Sequence, residues 1–382
     1  MKSVRILPIA FAALCNVVVC CAADVQVYRG ATILTATGDE YTNGTLVVSD
    51  GKILAVGDHT VPIPEPATLI DCAGQVIIPG LVDTHSHLGV YSRPAVSANS
   101  DGNEGTGPVQ TAVRALDSLN PFDPGIRMAN AGGVTTANIM PGSANVIGGQ
   151  TVYVKLRGDT AEEMLVEAAD VLGGLKMANG ENPKRVYGSK GEAPGTRMKV
   201  AALQRSEFIK ARNYQQKWTT YQQKLAEYEA DADAAAPTPP ERDLMLEPLI
   251  EVLEGRRTVH FHTHRADDIL TVLRLRDEFG FELVIQHGTE AYKVLDEIAR
   301  RNVPVSMTII DSPGGKAEVV DLIEECGAEL AAAGAKVLIN TDDPITESRL
   351  LLRTAAIAHR GGLTELQTLQ AITLHPAEAM HL

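Results

Sequence analysis

The rhythm of apolar and polar positions changes once along this chain. From Val25 to about residue 75 the apolar runs are short and separated by turn residues. Val25, Val27 and Tyr28 open one run, residues 31–34 continue it, and Asn43-Gly44 turns the chain into residues 45–48. Asp50-Gly51 then stands between that run and residues 52–56. An Asp-Gly pair between two β-forming runs is a strong hairpin signal, because both positions of the favoured tight turn need positive φ. Residues 24–75 are therefore expected to form a small β domain.

From Val76 onward, short apolar runs alternate with stretches of helical period. That alternation marks a parallel α/β domain. Eight strands are expected, over residues 76–82, 134–140, 150–156, 174–178, 258–264, 283–287, 303–309 and 336–340. Eight such units suggest an α/β fold of the closed (β/α)8 TIM type over residues 76–382, whose site lies at the carboxyl ends of its strands. One interval is too long for a simple crossover. Within an insertion at about residues 197–255, Tyr214, Trp218, Tyr221, Leu225 and Tyr228 recur at spacings of four and three, so one helix face is aromatic and apolar. An Ala/Pro-rich break at residues 231–240 precedes a second helix over residues 244–253. The hairpin is expected to pack on the main domain; a lid or a contact between copies in a homo-oligomer is the alternative use of that face.

Polar residues break the strand pattern in four places, always near a strand end. His85 and His87 follow the run Val76-Ile77-Ile78, His260, His262 and His264 alternate in another, His287 ends a third and Asp342 follows a fourth. Residues two apart on a strand share a side, and neutral imidazole is the commonest metal ligand. Four sets of ligand-type residues at strand ends point to a metal site rather than to core histidines. His260 lies deepest in its strand and reads as a hydrogen-bonded core residue.

Composition narrows the partners. The net charge of −14 argues against nucleic acid. Residues 1–23 have the form of a secretory signal peptide: Lys2 and Arg5, a mostly apolar stretch from Ile6 to Val19, and small residues at Cys21-Ala22-Ala23. The apolar stretch is short for a membrane span, so no stable membrane insertion is expected after cleavage. An exported protein, periplasmic or extracellular, is the expectation, and a lipid anchor on Cys20 or Cys21 is the less favoured alternative. Of five cysteines only Cys72 and Cys326 lie beyond this segment, which excludes a disulfide framework and suggests two buried thiols.

Taken in order, several segments resemble the metal-dependent amidohydrolase superfamily, in particular its imidazolonepropionase-like and prolidase-like secreted members. They are GKILAVG with VIIPGLVDTHSHLG, GVTTANIMPGSANVIGGQ, FHTHRADDI, IQHGTE, INTDDP and the closing LHPAEAMHL. The resemblance runs from about Val25 to Leu382. Such proteins normally continue with strands that complete the small domain as a β-sandwich. With those strands missing, an exposed sheet edge and an uncovered apolar face are expected.

The resemblance implies a hydrolase of a carbon–nitrogen, amide-type bond, acting on a small molecule. His85, His87 and Asp342 would hold one divalent cation, and His262 and His287 a second. Lys176, in GGLKMANGENPK, would bridge them as a carboxylated lysine; without that modification one cation per chain is implied. Asp342 would also move protons, and His264 would contact the substrate. The donor set suits Zn2+ among several divalent metals. Tyr91, Arg93, Asn103, Glu104, Asn145, Gln150 and Arg265 lie near strand ends and take no firm role. An exported enzyme favours an N-acyl amino acid or dipeptide as substrate. The alternatives are a cyclic amide, a lactone or ester, and an inactive truncated metal-binding barrel.

Overall fold

The computed structural model describes residues 25–166, 168, 171–230, 236–309 and 315–382. The expected signal segment, with Cys15, Cys20 and Cys21, lies outside them, as does part of the Ala/Pro-rich break. The described chain forms two compact units. One takes residues through Thr35 together with Asp39–Ile78, and the other takes Ala36–Gly38 and Pro79–Leu382.

The first unit is a five-stranded sheet. β1 (Val25–Leu34) pairs antiparallel with β2 (Glu40–Ser49), which pairs antiparallel with β3 (Lys52–Gly57). β4 (Thr68–Asp71) and β5 (Val76–Ile77) run parallel to β1. The hairpin turn falls at Asp50 and Gly51, with φ of 50° and 73° as the tight turn requires. Ala31, Ile33 and Cys72 form its buried cluster. Ile53, Leu54, Val56 and Leu69 are exposed.

In the second unit, β6 (Leu81–Ser86) lies parallel to β7 (Val134–Ile139). β8 (Ile147–Gln150) and β9 (Val152–Lys155) follow in succession. β9 pairs antiparallel with β7, and β8 pairs antiparallel with β10 (Gly174–Ala178). From β10 the ladder continues, every neighbour parallel, through β11 (Thr258–Thr263), β12 (Leu283–His287), β13 (Val305–Thr308) and β14 (Val337–Asn340). Main-chain hydrogen bonds also join the two sheets. Thr151 N donates to Gly174 O at 2.8 Å, Asp342 N to His85 O at 2.9 Å and His87 N to Asp343 O at 3.2 Å.

Two expectations about strands change. The run at residues 76–82 is divided: Val76 and Ile77 pair with β1, and a new strand starts at Leu81. Pro79, which has no N–H to give a ladder, stands at the break. The run at residues 150–156 is not a parallel strand; Thr151 separates two short strands, both antiparallel to their partners. Gly149, at φ 123°, lies at this change of direction.

The insertion begins with a 34-residue helix, Arg197–Ala230. Its first half is anchored. Val200, Phe208 and Ala211 are buried, Phe208 stacks between Phe279 and Phe281, and Gln204 Nε2 donates to Ala178 O at the end of β10. The aromatic stripe becomes less buried along the helix: Tyr214 is buried, Trp218 and Tyr221 half-buried, and Tyr228 exposed. The second helix spans Glu247–Leu253. Cys72 and Cys326 are free and buried, and no helix among the described residues is long and apolar enough to cross a membrane.

Candidate metal centre

Every residue of β6, β10, β11, β12, β13 and β14 is buried. Strands covered on both faces are normally apolar throughout, so polar residues inside them need partners. His260 has them, with Nε2 2.9 Å from the Tyr153 hydroxyl and Nδ1 2.9 Å from Gln286 Nε2. Both ring nitrogens are satisfied, as a core histidine requires.

The other candidates gather at the strand ends. His85, His87 and Asp342 form one group, His262, His264 and His287 another. Asp342 Oδ1 lies 3.2 Å from His85 Nε2 and 3.1 Å from His87 Nε2. Lys176 is fully buried, with Nζ 2.9 Å from His85 Nε2 and 3.1 Å from Met140 Sδ. The rings of His85 and His287 are 4.9 Å apart, which brings the two groups together.

The hydrogen bonds around these rings fit cation binding. His87 Nδ1 is 2.7 Å from Met140 O, His264 Nδ1 is 2.8 Å from Thr289 Oγ1 and His287 Nδ1 is 2.9 Å from Thr308 Oγ1. A ligating imidazole is usually held in this way through its other nitrogen. The opposite nitrogens of His264 and His287 are buried without a hydrogen-bond partner, as is His85 Nδ1. A buried polar atom left unpaired is costly, and a cation would satisfy the two Nε2 atoms. Burial pushes the pKa of His85, His262 and His287 far down, and that of His264 to about 3. Each ring is thereby favoured in its neutral, ligating form. Burial likewise brings the Lys176 amine down to about 7, against the opposing pull of Asp342.

His264 joins the same group as His262 and His287, so distance alone does not separate a substrate contact from two ligands. His262 differs in its bonding: Nδ1 lies 2.9 Å from Ser143 Oγ and Nε2 lies 3.3 Å from Asn182 Nδ2.

The adjacent carboxylates Asp342 and Asp343 have different surroundings. Asp342 takes a left-handed φ of 50°, and His287 likewise takes 74°. Such conformations cost energy in non-glycine residues and persist where the surroundings enforce them. Here Asp343 accepts from Arg93 Nη2 at 2.9 Å and from Ser348 N at 2.7 Å. On the other flank, Asp83 accepts from the hydroxyl and main-chain N–H of Thr341. Asp83 and Ser348 carried no sequence signal for this role, because their partners are more than 250 residues away or across a turn.

A cavity of about 600 Å3 opens beside this centre, and His87, His262 and Asp342 line it. Tyr91, Arg93 and Asn103 also line it. Glu104, Asn145, Gln150 and Arg265 do not: Asn145 Nδ2 donates to Glu104 O, Gln150 accepts from Arg257, and Arg265 pairs with Asp267. Ser143, Asn182 and Lys316, which the sequence did not single out, contribute to the wall.

No protein-family model matches the chain. A crystal structure of an amidohydrolase from Thermotoga maritima is similar, at 39% identity and a TM-score of 0.84, with 94% of this chain and 89% of that one covered. Amidohydrolase tasK of Hapsidospora irregularis is 30% identical over 353 residues. The match takes in 88% of this chain, which spans 36% of the length of that relative. A crystal structure of a prolidase complexed with N-methylphosphonate-L-proline shares the fold, with a TM-score of 0.55 at 17% identity.

Proposed function

Because this chain belongs to the amidohydrolase family, we propose that it hydrolyses an amide-type carbon–nitrogen bond with water activated at the centre built by β6, β10, β11, β12 and the turn after β14. The observation that carries this reading is the meeting of the His85–His87–Asp342 group with the His262–His264–His287 group beside buried Lys176. A closed (β/α)8 barrel is the scaffold in this reading, supported by the main-chain bonds between the two sheets of the second unit.

His85, His87 and Asp342 would hold one divalent cation, most suitably Zn2+, and the second histidine group another. A bound divalent cation polarises the substrate carbonyl and lowers the pKa of water from 15.7 to roughly 7. The remaining work falls to the chain. Asp342 borders the cavity and, in this reading, would take a proton from the attacking water and return it to the leaving nitrogen. The Asp343–Arg93 and Asp83–Thr341 contacts hold that carboxylate in place. Lys176 is suited to carboxylation: its neutral amine bonds to the carbon of CO2 and releases a proton, leaving an anionic carbamate between the two groups. Burial favours the neutral amine that this step needs.

We take the substrate to be an N-acyl amino acid or dipeptide and the protein to be exported, on the strength of residues 1–23. Metal content per chain by elemental mass spectrometry, with an amide and dipeptide panel, tests the reading. Two cations, falling to one or none in Lys176→Ala, support the bridged site. One cation in both proteins favours an unmodified Lys176 and a cyclic-amide screen. A folded protein that takes up no cation overturns the proposal.

A further inference from the structure

The cavity walls carry four charged side chains, and three of them are engaged. Arg93 bonds Asp343, Glu347 pairs with Arg349 at 2.5 Å, and Asp342 contacts His85 and His87. The fourth is Lys316. It is half-buried, and its ammonium has no carboxylate partner among the described residues. Two residues on, Glu318 is buried and paired with Arg197, itself bonded to Asp268 at 2.7 Å. The same cavity has an apolar wall formed by Ala95, Val96, Pro344 and Ile345, of which Val96 and Ile345 are largely exposed.

We propose that Lys316 anchors a carboxylate of the substrate, while the Ala95–Val96 and Pro344–Ile345 wall receives an apolar side chain. The inference rests on the amide-hydrolase reading and deepens it: the substrate class becomes an anionic N-acyl derivative of an apolar amino acid. An ammonium with no carboxylate partner among the described residues gains a charge-assisted bond when a carboxylate arrives, whereas a neutral amide does not supply one. Lys316 lines the same cavity as His87, His262 and Asp342. An anion drawn to Lys316 is therefore drawn towards these groups.

The test uses the full chain loaded with Zn2+, N-acetyl-leucine, and N-(3-methylbutyl)acetamide, which is the same amide without the carboxylate. Lys316→Met is expected to raise KM for the acid about tenfold or more, with little change in kcat and little effect on the neutral amide. Lys316→Arg should keep most of the preference. Equal effects on both compounds, or none on the acid, overturn the proposal. If neither compound is hydrolysed, calorimetric binding of N-acetyl-leucine still decides the anchor. Weaker binding to Lys316→Met supports it even though the hydrolase reading has failed for this substrate, and unchanged or absent binding rejects it.

Discussion

Lys176 Nζ lies 2.9 Å from His85 Nε2, and both side chains are fully buried. A permanently charged ammonium there would face a cluster of imidazoles with little water to shield it. A neutral amine, or an anion formed from it, resolves that conflict.

Carboxylation of Lys176 is therefore expected to be detectable directly. Protein prepared with 13C-bicarbonate and Zn2+ should show a carbamate carbon resonance, absent from Lys176→Ala. A short carboxylic acid should partly restore activity to that variant by supplying the missing anion. A carbamate signal that survives Lys176→Ala would remove Lys176 from the bridge.

Asp342→Asn is expected to keep the fold and lose hydrolysis by about 10^2–10^4-fold, the usual worth of a positioned proton-transfer group. Circular dichroism and kcat together check this. Near-normal turnover would assign the proton transfer elsewhere.

Asp343→Asn should act on Asp342 at one remove. The Arg93 guanidinium keeps Asp123 but loses the nearer of its two carboxylate partners, and the left-handed turn at Asp342 loses part of its support. A stability loss of about 2 kcal/mol is expected, the scale of a hydrogen bond to a charged group. The catalytic effect should fall on kcat more than on KM, with metal content retained. A variant with unchanged kcat would show that Asp342 needs no such support.

Arg197 connects two carboxylates, Asp268 and Glu318, whose pKa values burial raises and Arg197 opposes. A carboxyl group with a raised folded-state pKa contributes stability that is present below its unfolded value and is lost as pH rises through the folded value. Arg197→Met raises both folded values further. Its destabilisation should therefore be largest near pH 8, about 3 kcal/mol on the scale of a broken buried pair, and shrink towards pH 5. Urea unfolding at the two pH values measures this. A pH-independent loss would mean that Arg197 acts through packing alone.

Much of the candidate site was legible because strand ends announce it chemically. Histidines at alternating positions inside apolar runs are conspicuous, and His85, His87, His262 and His287 could be picked out without coordinates. Lys176 and the choice between Asp342 and Asp343 needed a resemblance, since a single lysine or an Asp-Asp pair carries no spacing signal. Lys316, Ser143 and Asn182, the last in the first turn of the helix Glu181–Gly188, were invisible, because single polar residues outside the strands carry no periodicity and take their place from long-range packing.

By itself the sequence determined most of the runs that form strands and helices, the aromatic stripe of the insertion, Cys72 and Cys326 as separate thiols and the residue types available for ligation. These follow from local period, turn chemistry and side-chain identity. The tertiary structure alone decided which strands reverse, since the antiparallel pairing of β8 and β9 is set by the partners they meet. It also decided that His260 is a satisfied core residue while the Nε2 atoms of His264 and His287 are left free. The physical reason is that hydrogen-bond satisfaction inside a protein depends on atoms from distant segments, which no local pattern records.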